Sequence, residues 1–357
     1  MTDAANTPEA DPANSSEADP ANSSEADPAN SSEADAANAS DMADADPAIS
    51  SVEEAADLID RVGDNVAEVI VGKRDVVDHI LGALLADGHV LLEDVPGVGK
   101  TMLAKSIARS FDCSFRRVQF TPDLLPSDVT GVNVYNRRTE EFDFQPGPVF
   151  ANIVLGDEIN RAPPKTQSAM LEAMEERQVT TDGETRRLPD PFCVIATQND
   201  VEPGRTYDLP IAEIDRFSKK LRLGYPDVAD ETDLLDRVAD GHPVDAIEPV
   251  ATAADLRRAR DLVESVEATR PVRSYVTRLA AYTRDHAALG VSPRGTIALF
   301  RAARARAVMN GRDYLLPDDV QAEAQAVLAH RIRPESTART PAAIVEDALD
   351  TVDADDA

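Results

Sequence analysis

Leu91-Leu92 runs directly into Glu93-Asp94-Val95-Pro96-Gly97-Val98-Gly99-Lys100-Thr101, and residues 102–110 continue in a helical pattern. An apolar strand, a glycine-rich turn and a helix, in that order, make a phosphate-binding loop. Gly97 and Gly99 let backbone N–H groups close around phosphate oxygens, and Lys100 adds a point charge on the terminal phosphates. The Thr101 hydroxyl is placed to ligate Mg²⁺, and the helix N-terminus turns its positive dipole end to the anion. One position departs from G-x-x-x-x-G-K-[ST]: Asp94 stands where the first glycine is expected.

The rest of the chain alternates in a way that suits such a loop. Strand-like runs occur at 89–92, 117–120, 153–155, 193–196 and 221–223, with helical patterns at 101–110, 165–176 and 212–216 between them. This alternation predicts an α/β fold with a parallel sheet covered on both faces. Ahead of it, Val52, Ala55, Ala56, Ile59 and Val62 recur at helical spacing, and a second helix follows Val71-Gly72. Beyond Pro226 only helical patterns remain, at 231–239, 253–266, 272–288, 296–310 and 317–330. The expected organisation is therefore a tail over 1–50, an α/β nucleotide-binding domain over 51–226, an all-α domain over 227–335 and an acidic C-terminal tail over 336–357.

Two further strands end in polar groups. Ile153-Val154-Leu155-Gly156 runs into Asp157-Glu158, with Asp157 fifty-six residues after Thr101. One carboxylate there can hold Mg²⁺ while the next polarises a water in line with the terminal phosphate. Cys193-Val194-Ile195-Ala196 runs into Thr197-Gln198-Asn199. Ligands of open α/β sheets sit beyond the carboxyl ends of the strands, so Asn199 is expected to face the same phosphate. Arg216 closes a short helix and could neutralise transition-state charge on a neighbouring subunit's nucleotide.

Net charge is −30. Residues 1–50 contribute twelve acids and no Lys or Arg, which leaves 54 acidic against 36 basic residues, or −18, for the other 307. Only six of the basic residues are lysines. An acidic, lysine-poor, Ala- and Val-rich chain resembles proteins of salt-loving archaea, where screening falls to ~3 Å in molar salt and self-repulsion costs little. It also argues against a broad basic surface for nucleic acid. The first fifty residues repeat E-A-D-P-A-N-S-S at 9–16, 17–24 and 25–32, with a degenerate copy at 33–40. Without large apolar side chains they cannot offset their ordering entropy, and a disordered acidic tail is expected. Cys113 and Cys193 are the only cysteines, so neither a disulfide framework nor a zinc pattern is present. With neither a transmembrane-length apolar run nor a signal-peptide pattern, a cytoplasmic protein is expected.

Taken together, Leu91 to Thr101, the run Asp157-Glu158-Ile159-Asn160-Arg161-Ala162-Pro163-Pro164-Lys165-Thr166-Gln167, Ala196-Thr197-Gln198-Asn199 and Asp215-Arg216-Phe217 resemble the MoxR-type ATPases of the AAA+ superfamily. The resemblance covers roughly residues 50 to 335, and members of that family often carry L-E-D-V-P-G-V-G-K-T at the loop. It implies an AAA+ P-loop core with a five-stranded parallel sheet, followed by a smaller all-α lid. It implies ATP held by Asp94, Val95, Pro96, Gly97, Val98, Gly99, Lys100, Thr101 and Met102, with Val71 and Gly72 near the adenine. Thr101 and Asp157 would serve Mg²⁺, Glu158 would be the catalytic base and Asn199 the γ-phosphate sensor. Arg216 would be a finger acting in trans, which requires a homo-oligomeric ring, a hexamer by analogy. Arg294, in Ser292-Pro293-Arg294-Gly295, resembles a second sensor reporting to the lid. Segments 130–150 and 176–191 resemble two family insertions, the second with a hairpin signal at Asp182-Gly183. The implied work is chaperone-like remodelling or metal insertion in partner proteins, including ones with von Willebrand A domains. A nucleic-acid-dependent motor and a non-hydrolysing ATP-binding scaffold are the alternatives.

Overall fold

A computed structural model describes residues 49–198, 207, 209–239 (side chains to 235) and 247–354. The acidic repeats and Asn199 lie outside the described residues. The chain enters through α1 (Val52–Ala67), capped by Ser51, whose hydroxyl accepts from the Glu54 N–H while the Glu54 carboxylate accepts from the Ser51 N–H. Val52, Ala55, Leu58, Ile59, Val62 and Val66 form its buried stripe, and Ala56 lies at the stripe's half-buried margin. α2 (Arg74–Leu85) then leads to β1 (Val90–Glu93), α3 (Lys100–Ser110), β2 (Phe115–Gln119) and the short α4 (Pro126–Thr130).

A hairpin, β3 (Gly131–Asn136) with β4 (Glu141–Pro146), precedes β5 (Ile153–Asp157) and α5 (Pro164–Glu176). A second hairpin, β6 (Gln178–Thr181) with β7 (Glu184–Arg187), turns through Asp182 and Gly183, both in left-handed backbone. β8 (Cys193–Gln198), α6 (Ile211–Ile214) and β9 (Lys219–Leu221) complete this half. The five-stranded sheet has the order β2-β5-β8-β1-β9, and every neighbouring pair is parallel. Strict alternation separates its two faces. Val90, Leu92, Ile153, Leu155, Cys193 and Ile195 point into one core, while Leu91, Val154, Val194 and Ala196 point into the other, under α5.

The helical lid consists of α7 (Val228–Ala239), α8 (Ala253–Ser265), α9 (Arg270–Asp285), α10 (Pro293–Met309), α11 (Pro317–Leu328) and α12 (Pro341–Thr351). Its centre is α10, whose buried Ala302, Ala303, Ala305 and Ala307 are small enough for close approach by its neighbours. The lid core is continuous with the first face of the sheet. Two expectations are corrected here. The acidic tail expected from 336 contains α12, because Ile344, Val345 and Ala348 line one helical face and are buried against α9 and α11. The last strand starts two residues earlier than expected: Lys219 pairs with Val90 and is fully buried, so a lysine occupies a core position.

His89, just ahead of β1, is also buried. Its Nδ1 accepts from the Val194 N–H (3.0 Å) and its Nε2 faces the Met174 carbonyl (3.0 Å), which sets a neutral ring. Burial first, then the Arg177 charge, pushes it down from 6.5 to about 3. Between those pH values the unfolded chain binds a proton that the native chain refuses. The ring's contribution is therefore complete above the unfolded value and is lost progressively as pH falls toward 3. The unfolding free energy from urea titrations is expected to drop on acidification below about pH 6.5, by at most about 1.4 kcal/mol per pH unit from this group. His89→Gln should flatten that part of the profile; an unchanged slope would remove His89 as its source.

Candidate active site

The loop after β1 has the shape that its glycines allow. Gly97 (φ +85°) and Gly99 (φ +94°) both adopt left-handed backbone, and Gly99 caps α3. Val98 and Met102 turn their side chains toward the core, which leaves the loop's backbone to face outward. Lys100 is buried, and its Nζ donates to the Asp94 and Val95 carbonyls at 3.1 and 3.2 Å. Burial pushes its ammonium below the usual lysine range, against the opposing pull of Asp94, Asp157 and Glu158. Asp157 and Glu158 stand at the end of β5 and the loop follows β1, so the parallel strands bring these acids and Lys100 to the same carboxyl edge of the sheet.

Asp94 has a structural reason to replace glycine. Its Oδ2 accepts from the N–H groups of Leu223 (2.5 Å) and Gly224 (2.9 Å), and its Oδ1 from that of Val95 (3.1 Å). The carboxylate thus ties the phosphate loop to the chain leaving β9 toward the lid. Val71 and Gly72 reach the same place. An Ile70 methyl lies about one van der Waals contact from the position of a Cβ on Gly99, and Lys73 Nζ donates to the Tyr225 carbonyl (2.8 Å). A side chain at Gly72 would overlap the Asp230 carboxylate. Segments 70–73 and 224–230 therefore close one side of the loop.

Asp157 ends β5, and Glu158 follows in left-handed backbone (φ +58°), a conformation costly for a residue with a side chain. Thr197 on β8 holds both: its hydroxyl donates to Asp157 Oδ1 (2.7 Å) and accepts from the Glu158 N–H (2.8 Å). Asp157 Oδ2 pairs with Arg117 (2.5 Å), and Glu158 Oε2 accepts from Gln119 (2.8 Å) and Arg161 (2.8 Å). Arg161 and Thr197 stand in the motifs read from the sequence without a role assigned to them, and Arg117 and Gln119 have only a local signal: they are two apart on β2 and so share a face.

Arg216 and Arg294 come together at the opposite end of the sheet. Glu175, near the end of α5, takes Arg216 Nε at 3.2 Å and also pairs with Arg294. The Ser218 N–H donates to the carbonyl of His89 (2.8 Å), which places this cluster at the amino ends of the strands. The loop and the carboxylates lie at the carboxyl ends. At about 3.3 Å per strand residue, roughly 15 Å of sheet separates the two. Arg294 therefore joins Arg216 and not the protomer's own phosphate loop.

The two hairpins also meet. Asn133 Nδ2 donates to Asp182 (2.8 Å), and Arg186 stacks 3.9 Å over the Phe144 ring. Beside them Val132, Tyr135 and Phe142 are exposed, with Tyr135 and Phe142 in ring contact at 5.3 Å.

Comparison with known proteins agrees with this geometry. Residues 89–219 match the ATPase family associated with various cellular activities (AAA), and residues 279–348 match the AAA lid domain. The chain is 51% identical over 288 residues to the uncharacterized protein YeaC of Bacillus subtilis, covering 80% of this chain and 90% of that one. It is 41% identical over 278 residues to the chaperone MoxR1 of Mycobacterium tuberculosis, covering 75% and 73%. A crystal structure of a Cytophaga hutchinsonii protein assigned as an ATPase superposes with a TM-score of 0.79 at 35% identity, over 89% of this chain and 98% of that one. A glycine-rich loop beside paired strand-end acids, the β2-β5-β8-β1-β9 sheet, the helical lid and these relatives lead to one conclusion: the chain belongs to the MoxR-type AAA+ ATPases.

Proposed function

We propose that this protein hydrolyses ATP at the seams of a homo-oligomeric ring, a hexamer by family analogy, and uses the cycle to remodel client proteins. The observation that carries the reading is the division of the chemistry between the two ends of one sheet. Lys100, Asp157 and Glu158 gather at one end, and Arg216 and Arg294 at the other. No single protomer can bring both sets to one phosphate, whereas neighbours stacked head to tail can.

In this reading the backbone from Asp94 to Met102 holds the phosphates, with Lys100 leaving its loop carbonyls for phosphate oxygens. Thr101 and Asp157 suit Mg²⁺. Among the described residues no three His, Cys, Asp or Glu side chains gather into a metal cage. The ion would instead combine one hydroxyl and one carboxylate with phosphate oxygens and water, as Mg²⁺ commonly does. Bound there, it would offset the negative charge of the phosphates. Glu158 takes the proton of the attacking water, Asn199 orients the γ-phosphate, and Val71-Gly72 borders the adenine. The exposed aromatic face of the paired hairpins is assigned to client engagement, with partners carrying von Willebrand A domains as one client class. Among the described residues no helix is long and apolar enough to cross a membrane. A cytoplasmic setting at high salt fits the acidic composition.

The test is Glu158→Gln. The variant should bind ATP as the parent does and hydrolyse it at least ~10²-fold more slowly, the range for loss of a general base. Undiminished turnover would remove Glu158 from that role and leave the reading without its base.

A further inference from the structure

Three segments distant in sequence meet at Glu175: the end of α5, the turn between α6 and β9, and the first turn of α10. The cavity they enclose, about 580 Å³, is lined by Arg177, Arg216, Arg294, Arg301 and Arg331, an excess of positive charge. Two of its acids are committed elsewhere. Asp87 pairs with Arg177 (2.9 Å) and Arg260 (2.7 Å), and Asp215 pairs with Arg331 (2.6 Å) and accepts from Ser292 Oγ (2.9 Å). That leaves the Glu175 carboxylate to balance Arg216 and Arg294 together.

The turn carrying Arg216 is held separately. Arg331, whose side chain is only 2% exposed, donates to the carbonyls of Asp215 (3.1 Å), Phe217 (2.7 Å) and Ser218 (3.2 Å). The backbone on both sides of Arg216 is therefore anchored to the lid, and the guanidinium is the adjustable part. Glu175 meets its Nε, which leaves both Nη groups for another anion.

We propose that Glu175 is a positioning residue for hydrolysis: it holds Arg216 and Arg294 side by side so that both reach one terminal phosphate of a neighbouring copy. The inference rests on the proposal that Arg216 acts in trans. Two guanidinium groups at this range repel each other, and a carboxylate between them removes that repulsion while keeping both within reach of one anion. A terminal phosphate offers three acceptor oxygens, enough to take the outward N–H groups while Glu175 keeps the inward ones. In this proposal Glu175 contacts the two arginines rather than the nucleotide, so its effect on hydrolysis runs through them.

Full-length Glu175→Gln, assembled with ATP and Mg²⁺, is expected to lose ~10²-fold in kcat, the scale of a misplaced catalytic group, with KM for ATP changed less than twofold. Glu175→Asp, which keeps the charge, should retain most of the turnover. Mixing Glu175→Gln with Glu158→Gln should restore activity, because one class of seam then joins an intact nucleotide side to an intact arginine side. Parental kcat in Glu175→Gln, equal losses in the Asp and Gln variants, or no recovery on mixing would overturn the proposal. Arg216→Ala mixed with Glu158→Gln is the control. If that pair recovers and the Glu175→Gln pair does not, only the role of Glu175 fails. If neither recovers, the trans reading fails with it.

Discussion

Arg216→Ala should lower ATP turnover of the assembled protein by roughly 10³-fold or more, with ATP affinity of the separate protomer unchanged. That is the scale of arginines that neutralise transition-state charge in nucleotide hydrolases. The reason for separating the two effects is positional. Arg216 lies at the amino ends of the strands beside Glu175 and Arg331-anchored backbone, while Lys100 lies at the carboxyl ends against Asp94 and Val95. On the proposed trans reading, removing the guanidinium would leave the variant's own loop intact and disable only the seam it completes for a neighbour. Equilibrium binding of a fluorescent ATP analogue and steady-state phosphate release, measured on one preparation, separate the two. A parallel loss of affinity in isolated protomers would mean that Arg216 supports its own nucleotide pocket, and the division across the seam would be wrong.

The second large effect concerns the joint between sheet and lid. Lys219 on β9 and Glu323 on α11 are both fully buried and pair at 2.6 Å. Arg306 on α10 reaches the same carboxylate at 2.7 Å, and His79 on α2 faces it at 3.3 Å. Burial alone would raise the Glu323 carboxyl, but Lys219, then His79 and Arg306, reverse this and hold it well below the usual carboxylate range. Glu323→Gln strands two cations in the interior and is expected to destabilise the fold by about 3–5 kcal/mol. Against the ~5–15 kcal/mol that holds a typical domain together, that is a large share. Replacing Lys219 and Glu323 together by Met and Leu should recover part of the loss, because the desolvation of that pair disappears while Arg306 still lacks its carboxylate. Urea unfolding at low and high KCl is the measurement. The loss should persist in molar salt, since buried pairs are screened far less than exposed ones. A deficit that vanishes at high salt would show that the cluster is open to solvent.

The same cluster stiffens the joint between sheet and lid. Groups from β9, α2, α10 and α11 share one buried carboxylate, so bending sheet against lid at this joint would separate charges in a dry interior. Arg216, Arg294 and Glu175, by contrast, are half-exposed.

Much of this was legible beforehand for a local reason. The loop from Asp94 to Thr101, the strand ending at Asp157-Glu158 and the Asp182-Gly183 hairpin are read from neighbours a few residues apart, and the structure places each where its pattern implied. Lys219 shows the opposite case. Its pairing with Glu323 cannot be seen in a window of ten residues, so the apolar run alone places the strand at 221–223 and leaves Lys219 out of it. α12 was missed because its acids dominate the local composition, whereas the three apolar residues that hold it find their partners in α9 and α11.

By itself the sequence determined the order of strands and helices, the faces that would be apolar and the loop able to hold phosphate, because periodicity and backbone freedom are properties of adjacent residues. Tertiary structure alone decided which charges meet. Glu175 and Arg294 stand 119 residues apart, and nothing in either segment selects the other. A carboxylate's partner is set by where the folded chain brings a cation and excludes water, and only the packed molecule defines that place.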